Sequence, residues 1–178
     1  MGSREVLYKG DYLHYQQAET NTSIREGWFY RDDTQQKVRS ADDVFDIYER
    51  AVGGNSTFLL NIPPNRDGRF SDRDVATLKE VGQRIRETYG ADLLKGASVR
   101  QRSWMKIKNT FTTVACGAKI TLTTPSPVTF NRLVLQEAIA LRGERVEEHI
   151  VEAWIDRKWK EVARGTNIGY KRILVSRM

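Results

Sequence analysis

The sequence predicts an α/β segment followed by an all-β segment, with the change near Gly90. Three observations carry this reading. Ser56-Thr-Phe-Leu-Leu-Asn-Ile62 is a near-continuous apolar run, the signature of a strand covered on both faces, as in a parallel sheet. Stretches with apolar residues at helical spacing flank that run on both sides. From about Ala91 the apolar residues recur with a period of two instead, and turn residues separate the runs.

Taken in order, Ser40-Ala-Asp-Asp43 has the form of a capping box, with Ser40 as cap. Val44, Ile47, Tyr48, Ala51 and Val52 then form one helical face, and Gly53-Gly54 supplies the stop. After the buried-strand run, Pro63-Pro64-Asn-Arg-Asp-Gly68 has strong turn chemistry. Ser71 and Asp74 form a second apparent capping box. Val75, Leu78, Val81, Ile85 and Tyr89 make the next helical stripe, ended by Gly90. In the second half, Lys119–Thr124 alternates cleanly, Pro125-Ser-Pro127 turns the chain, and Thr129–Gln136 is a strand candidate. Val146–Ile155 and Trp159–Ala163 are joined by the hairpin-like Asp156-Arg-Lys158, and Lys171–Val175 is the last strand. Strands of this spacing suggest a sandwich. Neither half is complete by this count. An α/β barrel uses roughly 200 residues or more, and a sandwich commonly about seven strands. The chain therefore reads as a piece of a larger protein.

Composition removes several classes. The chain has 178 residues, 39% hydrophobic and 29% charged, which is ordinary globular usage. Its apolar runs fall far short of the roughly 20 residues a membrane helix needs, so no membrane insertion is expected. One cysteine, Cys116, excludes an internal disulfide, and two histidines, His14 and His149, disfavour a histidine-based metal site. The net charge of +6 is spread among interleaved acids rather than gathered in a stripe, so no nucleic-acid partner is expected. No secretory h-region follows Met1. Asn21-Thr-Ser and Asn55-Ser-Thr match the glycosylation tripeptide, which matters only in a eukaryotic secretory pathway. Nothing in the sequence sets an oligomeric state.

Two segments could carry chemistry. In Gln17–Tyr30, Glu19 precedes the aromatic cluster Trp28-Phe29-Tyr30. A carboxylic acid near aromatic surface can serve as general acid, and aromatic faces suit the C–H faces of sugars. The plainer alternative is a solvated loop acid beside core aromatics. The loop Asn61–Gly68 would emerge at the C-terminal end of a parallel strand, where α/β active sites lie. Turn geometry alone accounts for its Pro-Pro and Asp-Gly pairs, and that reading is favoured. Gly53-Gly54 lacks the spacing of a phosphate loop. Trp104, Trp154 and Trp159 fit sandwich core or rim better than ligand contacts, Cys116 fits a small buried hydrophobe, and His149 fits a strand face.

Glu19-Thr-Asn-Thr-Ser-Ile-Arg-Glu-Gly-Trp-Phe-Tyr30 resembles the acid/base segment of the α-L-fucosidases of glycoside hydrolase family 29. It is most similar to the branch acting on α-1,3/1,4-linked fucose. Further segments agree in order. Val38–Tyr48 resembles the family's next helix, Gly53–Gly68 its late barrel strand and following loop, and Asp74–Gly82 the helix after that. Val128–Glu137, Val151–Ile155 and Gly169–Leu174 are similar to its C-terminal β-sandwich.

The resemblance implies a fold and a mechanism. Residues 1–90 would be the C-terminal part of a (β/α)8-like catalytic barrel, and 91–178 a β-sandwich of galactose-binding-like type. The family's enzymes are retaining exoglycosidases that remove terminal α-L-fucose from glycans. An aspartate nucleophile attacks the anomeric carbon, and a second carboxyl protonates the leaving oxygen and then activates water. By motif position Glu19 would be that general acid/base, at a strand end facing the nucleophile, and Trp28 would line the sugar subsite. The partner implied is a fucosylated oligosaccharide or glycoconjugate, with no cofactor and no metal. The parent family is typically periplasmic, extracellular or lysosomal. The family's nucleophile lies well upstream of the acid/base, and Asp11 is too close to Glu19 to come from a separate strand. The chain by itself is therefore expected to lack hydrolase activity. The alternative function is a non-catalytic carbohydrate-binding β-sandwich module.

Overall fold

The structure is a computed structural model that describes residues 5, 8–12, 14, 16–32, 36–101 and 117–176. Up to Gly90 the order is strand, helix, strand, helix: β1 (Ala18–Ser23), α1 (Ala41–Val52), β2 (Ser56–Asn61) and α2 (Asp72–Tyr89). β1 and β2 pair in parallel, with Glu19 opposite Thr57, Asn21 opposite Leu59 and Ser23 opposite Asn61. The parallel pairing follows from the helical crossover, since a parallel neighbour cannot be reached by a tight turn.

The helices form where the sequence places them, for separable reasons. Ser40 is extended, and its hydroxyl accepts the Asp43 N–H at 3.1 Å, with Asp42 and Asp43 facing the positive end of α1. Gly53 closes α1, donating to the Glu49 carbonyl at 2.9 Å. Its φ of −74° is ordinary helical backbone, so handedness does not demand glycine there. Close approach does, because a Cβ on Gly53 would run into the Ile173 side chain. The second expected capping box does not form. Ser71 is the N-cap of α2 but makes no side-chain cap bond. Asp74 turns into the protein instead and is fully buried.

The core lies between one face of the β1–β2 pair and the two helices. Ile24, Ala41, Val44 and Val81 are buried, with Phe58, Leu60, Ile62, Leu78 and Ile85 packed around them. The side-chain alternation of the strands puts Phe58 and Leu60 on that helix-covered face. The other face of β2 differs from the sequence reading. Thr57 and Leu59 are exposed, Leu59 at 44%, so the strand is covered on one side only. Among the described residues only β1 pairs with β2, and no layer lies on the second face.

After Gly90 the strands pair two by two, all antiparallel. β3 (Ser98–Gln101) pairs with β4 (Ile120–Thr123), β5 (Arg132–Leu135) with β8 (Arg172–Val175), and β6 (His149–Ile155) with β7 (Lys158–Gly165). A short helix, α3 (Ile139–Arg142), follows β5. The hairpin turn is Asp156-Arg157, both with positive φ (52° and 63°), as a primed two-residue turn requires. These strands match the expected runs, with β3 and α3 added. Two broad facing sheets are not formed among the described residues, and only Gly169 is buried from 117 onward. A sandwich core needs inward side chains from two multi-stranded layers, and pairs of short strands do not supply them. Trp154 and Trp159 accordingly lie outside any core, both exposed. Trp104 and Cys116 lie outside the described residues.

One seam joins the two halves. Ile173 N–H donates to the Gly53 carbonyl at 3.1 Å, and Tyr170 N–H to the Asn55 side chain at 2.6 Å. Arg132 grips Glu49 with two bonds, Nε to Oε1 at 2.7 Å and Nη2 to Oε2 at 3.1 Å, and the Tyr89 hydroxyl donates to Oε1 at 2.6 Å. Burial alone would raise the Glu49 pKa, but the bonds from Arg132 and Tyr89 and the nearby positive charge outweigh it, holding the carboxyl below its usual range. Burial, with the Glu49 charge alongside, pushes the Tyr89 hydroxyl far above the usual phenol range. A carboxylate with a depressed folded pKa adds stability above its ordinary value, here 4.5, and loses it as pH falls through the folded one. Glu49→Gln is therefore expected to flatten the acid limb of a melting-temperature profile below about pH 4.5, with the neutral end lowered. Parallel acid limbs in the two proteins would show that the seam does not titrate this way.

Candidate active site

The second face of the β1–β2 pair is mostly polar, whereas Phe58 and Leu60 of the first pack into the core. The parallel register and the alternation place Glu19, Asn21, Ser23, Leu59 and Asn61 on one side. Glu19 and Asn21 are exposed, whereas Ser23 is buried. At the C-terminal end of the strands, Asn61 Nδ2 donates to Ser23 Oγ at 3.2 Å and to the Trp28 carbonyl at 2.7 Å. The end of β2 thus fixes the backbone of the aromatic segment that follows β1.

A buried polar cluster fixes the rest of that segment. Arg25 Nε donates to both Asp74 oxygens, at 2.9 and 3.1 Å, with Asp74 fully buried. Arg25 Nη1 reaches Gln36 Oε1 at 3.3 Å, and the guanidinium lies 5.8 Å from the centre of the Tyr30 ring. Gln36, 1% exposed, donates from Nε2 to the carbonyls of Glu26 and Phe29, both at 3.0 Å, and accepts from the Arg31 N–H. Every polar atom of its amide is used, so the loop 26–31 is built around one side chain. Farther out, Arg66 pairs with Asp32, and this bond holds the Asp32 carboxyl below the usual carboxylate range.

The expected site residues are found at different levels of this frame. Glu19 is the second residue of β1, near its N-terminal end, about 13 Å along the strand from Ser23. Trp28 lies beyond the C-terminal end, 46% exposed. Barrel sites open at the C-terminal ends of strands. The carboxylate at that end of β1 is Glu26, which is exposed. The Asn61–Gly68 loop is a self-bonded turn. Asn65 Oδ1 accepts the N–H groups of Asp67 and Arg69, both at 3.0 Å, and Gly68 has φ 71°. Beyond that turn, Arg66 is tied to Asp32, and Asn61 at the start of the loop holds Ser23 and Trp28. His149 opens β6, with Nδ1 3.0 Å from the Thr166 carbonyl oxygen. Among the described residues, no three His, Cys, Asp or Glu side chains gather as a metal site, and no helix is long and apolar enough to cross a membrane.

Sequence reasoning missed Arg25, Gln36 and Asp74. Arg25 and Asp74 are 49 residues apart, and Asp74 already had a plain local reading as a cap partner. The one available signal was an acid at the third position of a helix whose neighbours form an apolar stripe.

The Alpha-L-fucosidase family matches residues 7–89. Alpha-L-fucosidase 1 of Arabidopsis thaliana is 29% identical over 184 residues, covering 88% of this chain and 34% of its own. A relative from Oryza sativa subsp. japonica, named for the same activity, is 31% identical over 185 residues, covering 88% of this chain and 33% of its own. The crystal structure of SpGH29 superposes with a TM-score of 0.80 at 32% identity, over 89% of this chain and 37% of that one. This chain belongs to the α-L-fucosidases of glycoside hydrolase family 29. It spans about a third of the length of the curated fucosidases it matches.

Within this chain, removing one partner of a buried ion pair strands the other charge. Asp74→Ala is expected to lower the unfolding free energy by about 3–5 kcal/mol. It is also expected to speed amide exchange across residues 26–31, because Arg25 then no longer anchors Gln36. Chemical denaturation and exchange mass spectrometry read the two effects, and unchanged exchange in that loop would detach it from the pair.

Proposed function

We propose that this chain supplies the acid/base side of a retaining α-L-fucosidase site, of the branch acting on α-1,3/1,4-linked fucose. In this reading residues 1–90 are the C-terminal part of the catalytic barrel, and β1 and β2 are neighbouring barrel strands with the Glu19 face turned inward. Residues 91–178 stand where the family carries a galactose-binding-like sandwich, of which the described strand pairs form only part. The observation that carries it is the division of the β1–β2 pair into a helix-covered face bearing Phe58 and Leu60 and an uncovered one bearing Glu19, Asn21, Ser23 and Asn61 beside Leu59. Family membership supports it.

Glu19 acts as general acid, giving its proton to the glycosidic oxygen as the bond to the anomeric carbon breaks. The same carboxylate then takes a proton from the water that opens the glycosyl–enzyme ester, so the site returns to its first protonation state. The aspartate nucleophile stands about 5–5.5 Å from it in retaining geometry and comes from sequence upstream of Glu19. Trp28 offers an aromatic face to the sugar; Asn61 holds its carbonyl, and Gln36 holds those of Glu26 and Phe29 on either side. The substrate is a fucosylated oligosaccharide or glycoconjugate, and no cofactor enters.

The test grafts residues 17–90 in place of the matching segment of SpGH29 and measures aryl α-L-fucoside hydrolysis. Glu19→Gln in the graft is expected to cut kcat about 10²–10⁴-fold on a poor leaving group. The loss should be far smaller on a leaving group acidic enough to depart without a proton. Full activity in Glu19→Gln with loss in Glu26→Gln would move the role to the carboxylate at the end of β1. Turnover by the ungrafted chain would overturn its dependence on an upstream nucleophile.

A further inference from the structure

The exposed face of the β6–β7 hairpin carries a pair of tryptophans outside the buried core of the described residues. Trp154 and Trp159 are direct cross-strand partners, with ring centres 5.4 Å apart and planes at 65°. They remain 59% and 42% exposed. On the same face of β6, the alternation adds Ile150 and Glu152. Lys119 reaches across from outside the hairpin. Its ammonium lies 5.0 Å from the Trp159 ring centre and donates to Glu152 Oε2 at 2.9 Å. Arg164 on β7 is likewise paired, with Glu161 at 2.9 Å.

We infer that this tryptophan pair, with Lys119 and Glu152 beside it, is a binding site for a neutral pyranose unit of an oligosaccharide, separate from the Glu19 face. Three features select this ligand. The ring faces offer apolar area to the C–H face of a sugar. Lys119 and Glu152 place a donor and an acceptor side by side, the pattern two neighbouring hydroxyls need. The charges cancel in pairs, so the face does not attract a phosphate or a sulfate as an unpaired cation would. Size argues against a protein partner. Two tryptophans bury at most about 500 Å², whereas a stable interface takes about 800 Å² per side.

The experiment titrates the full 178-residue chain with lactose and with 2′-fucosyllactose, following tryptophan fluorescence and proton saturation transfer. Saturable binding on the order of millimolar is expected, about tenfold weaker or more in Trp154→Ala and in Trp159→Ala. Trp154→Phe keeps an aromatic ring against Trp159 and is expected to lose less, which separates a lost platform from a damaged hairpin. Lactose, which carries no fucose for the Glu19 face, is expected to bind as 2′-fucosyllactose does, so failure of the catalytic reading leaves this result standing. No saturable response to either sugar would overturn the inference. Unchanged binding in both alanine variants, or a concentration-dependent dimer in sedimentation that Trp154→Ala abolishes, would do the same.

Discussion

Arg25 cannot be buried without Asp74, and the loop that carries Trp28 cannot take its path without Arg25. A guanidinium and a carboxylate removed from water each lose several kcal/mol of hydration, which only close pairing and further hydrogen bonds offset. Here that pairing is complete. Both Asp74 oxygens accept from Arg25, and the remaining guanidinium reaches Gln36, which holds three backbone groups of the loop. Such a network has few alternative arrangements, because shifting any member leaves a buried polar group unpaired. Its value is in fixing one loop conformation more than in net stability. The start of α2 is thereby tied to the exit of β1.

The same constraint explains why α2 lacks the return bond of a capping box, from the third helical carboxylate to the N–H of Ser71. A capping carboxylate at the third helical position folds back toward the cap residue. Asp74 points the other way, so the orphan amides of that first turn lose this partner. The stronger demand of the buried cation decides the contest. α1 has no such competitor, and Ser40 caps it through the Asp43 N–H.

The legible parts of the sequence were those governed by short-range rules. The α1 and α2 stripes, the parallel character of β2, the turn at Asp156-Arg157 and the strand runs after Ala91 all follow from periodicity or turn chemistry within a few residues. The illegible parts depend on partners far away in sequence. Gly53 reads as a helix stop, yet its small size matters because Ile173 packs against it from the other half. Leu59 reads as core from the apolar run, yet its burial needs a layer that the described residues do not contain. Glu19 stands out locally only as an acid ahead of Trp28-Phe29-Tyr30, and its assigned role comes through resemblance to a family. No local rule separates it from Glu26, which lies nearer the strand end where barrel chemistry is expected.

Among the described residues, the β1–β2 and β6–β7 faces are uncovered surfaces of different chemical character. The β1–β2 face is lined by amides and hydroxyls with one exposed carboxylate, groups that can bond a sugar's hydroxyls and move a proton. The β6–β7 face offers aromatic rings and charges already neutralised in pairs, groups that can hold a sugar but leave no free acid or base in their midst. The seam of Glu49, Tyr89 and Arg132 joins the two halves that bear them. If a glycan engages both faces, the seam sets the relation between the end that is cut and the part that is held. Its charged, half-buried construction then matters more than its net strength. A seam of hydrogen-bonded charges tolerates only a narrow range of geometry, whereas an apolar contact of equal area could slide.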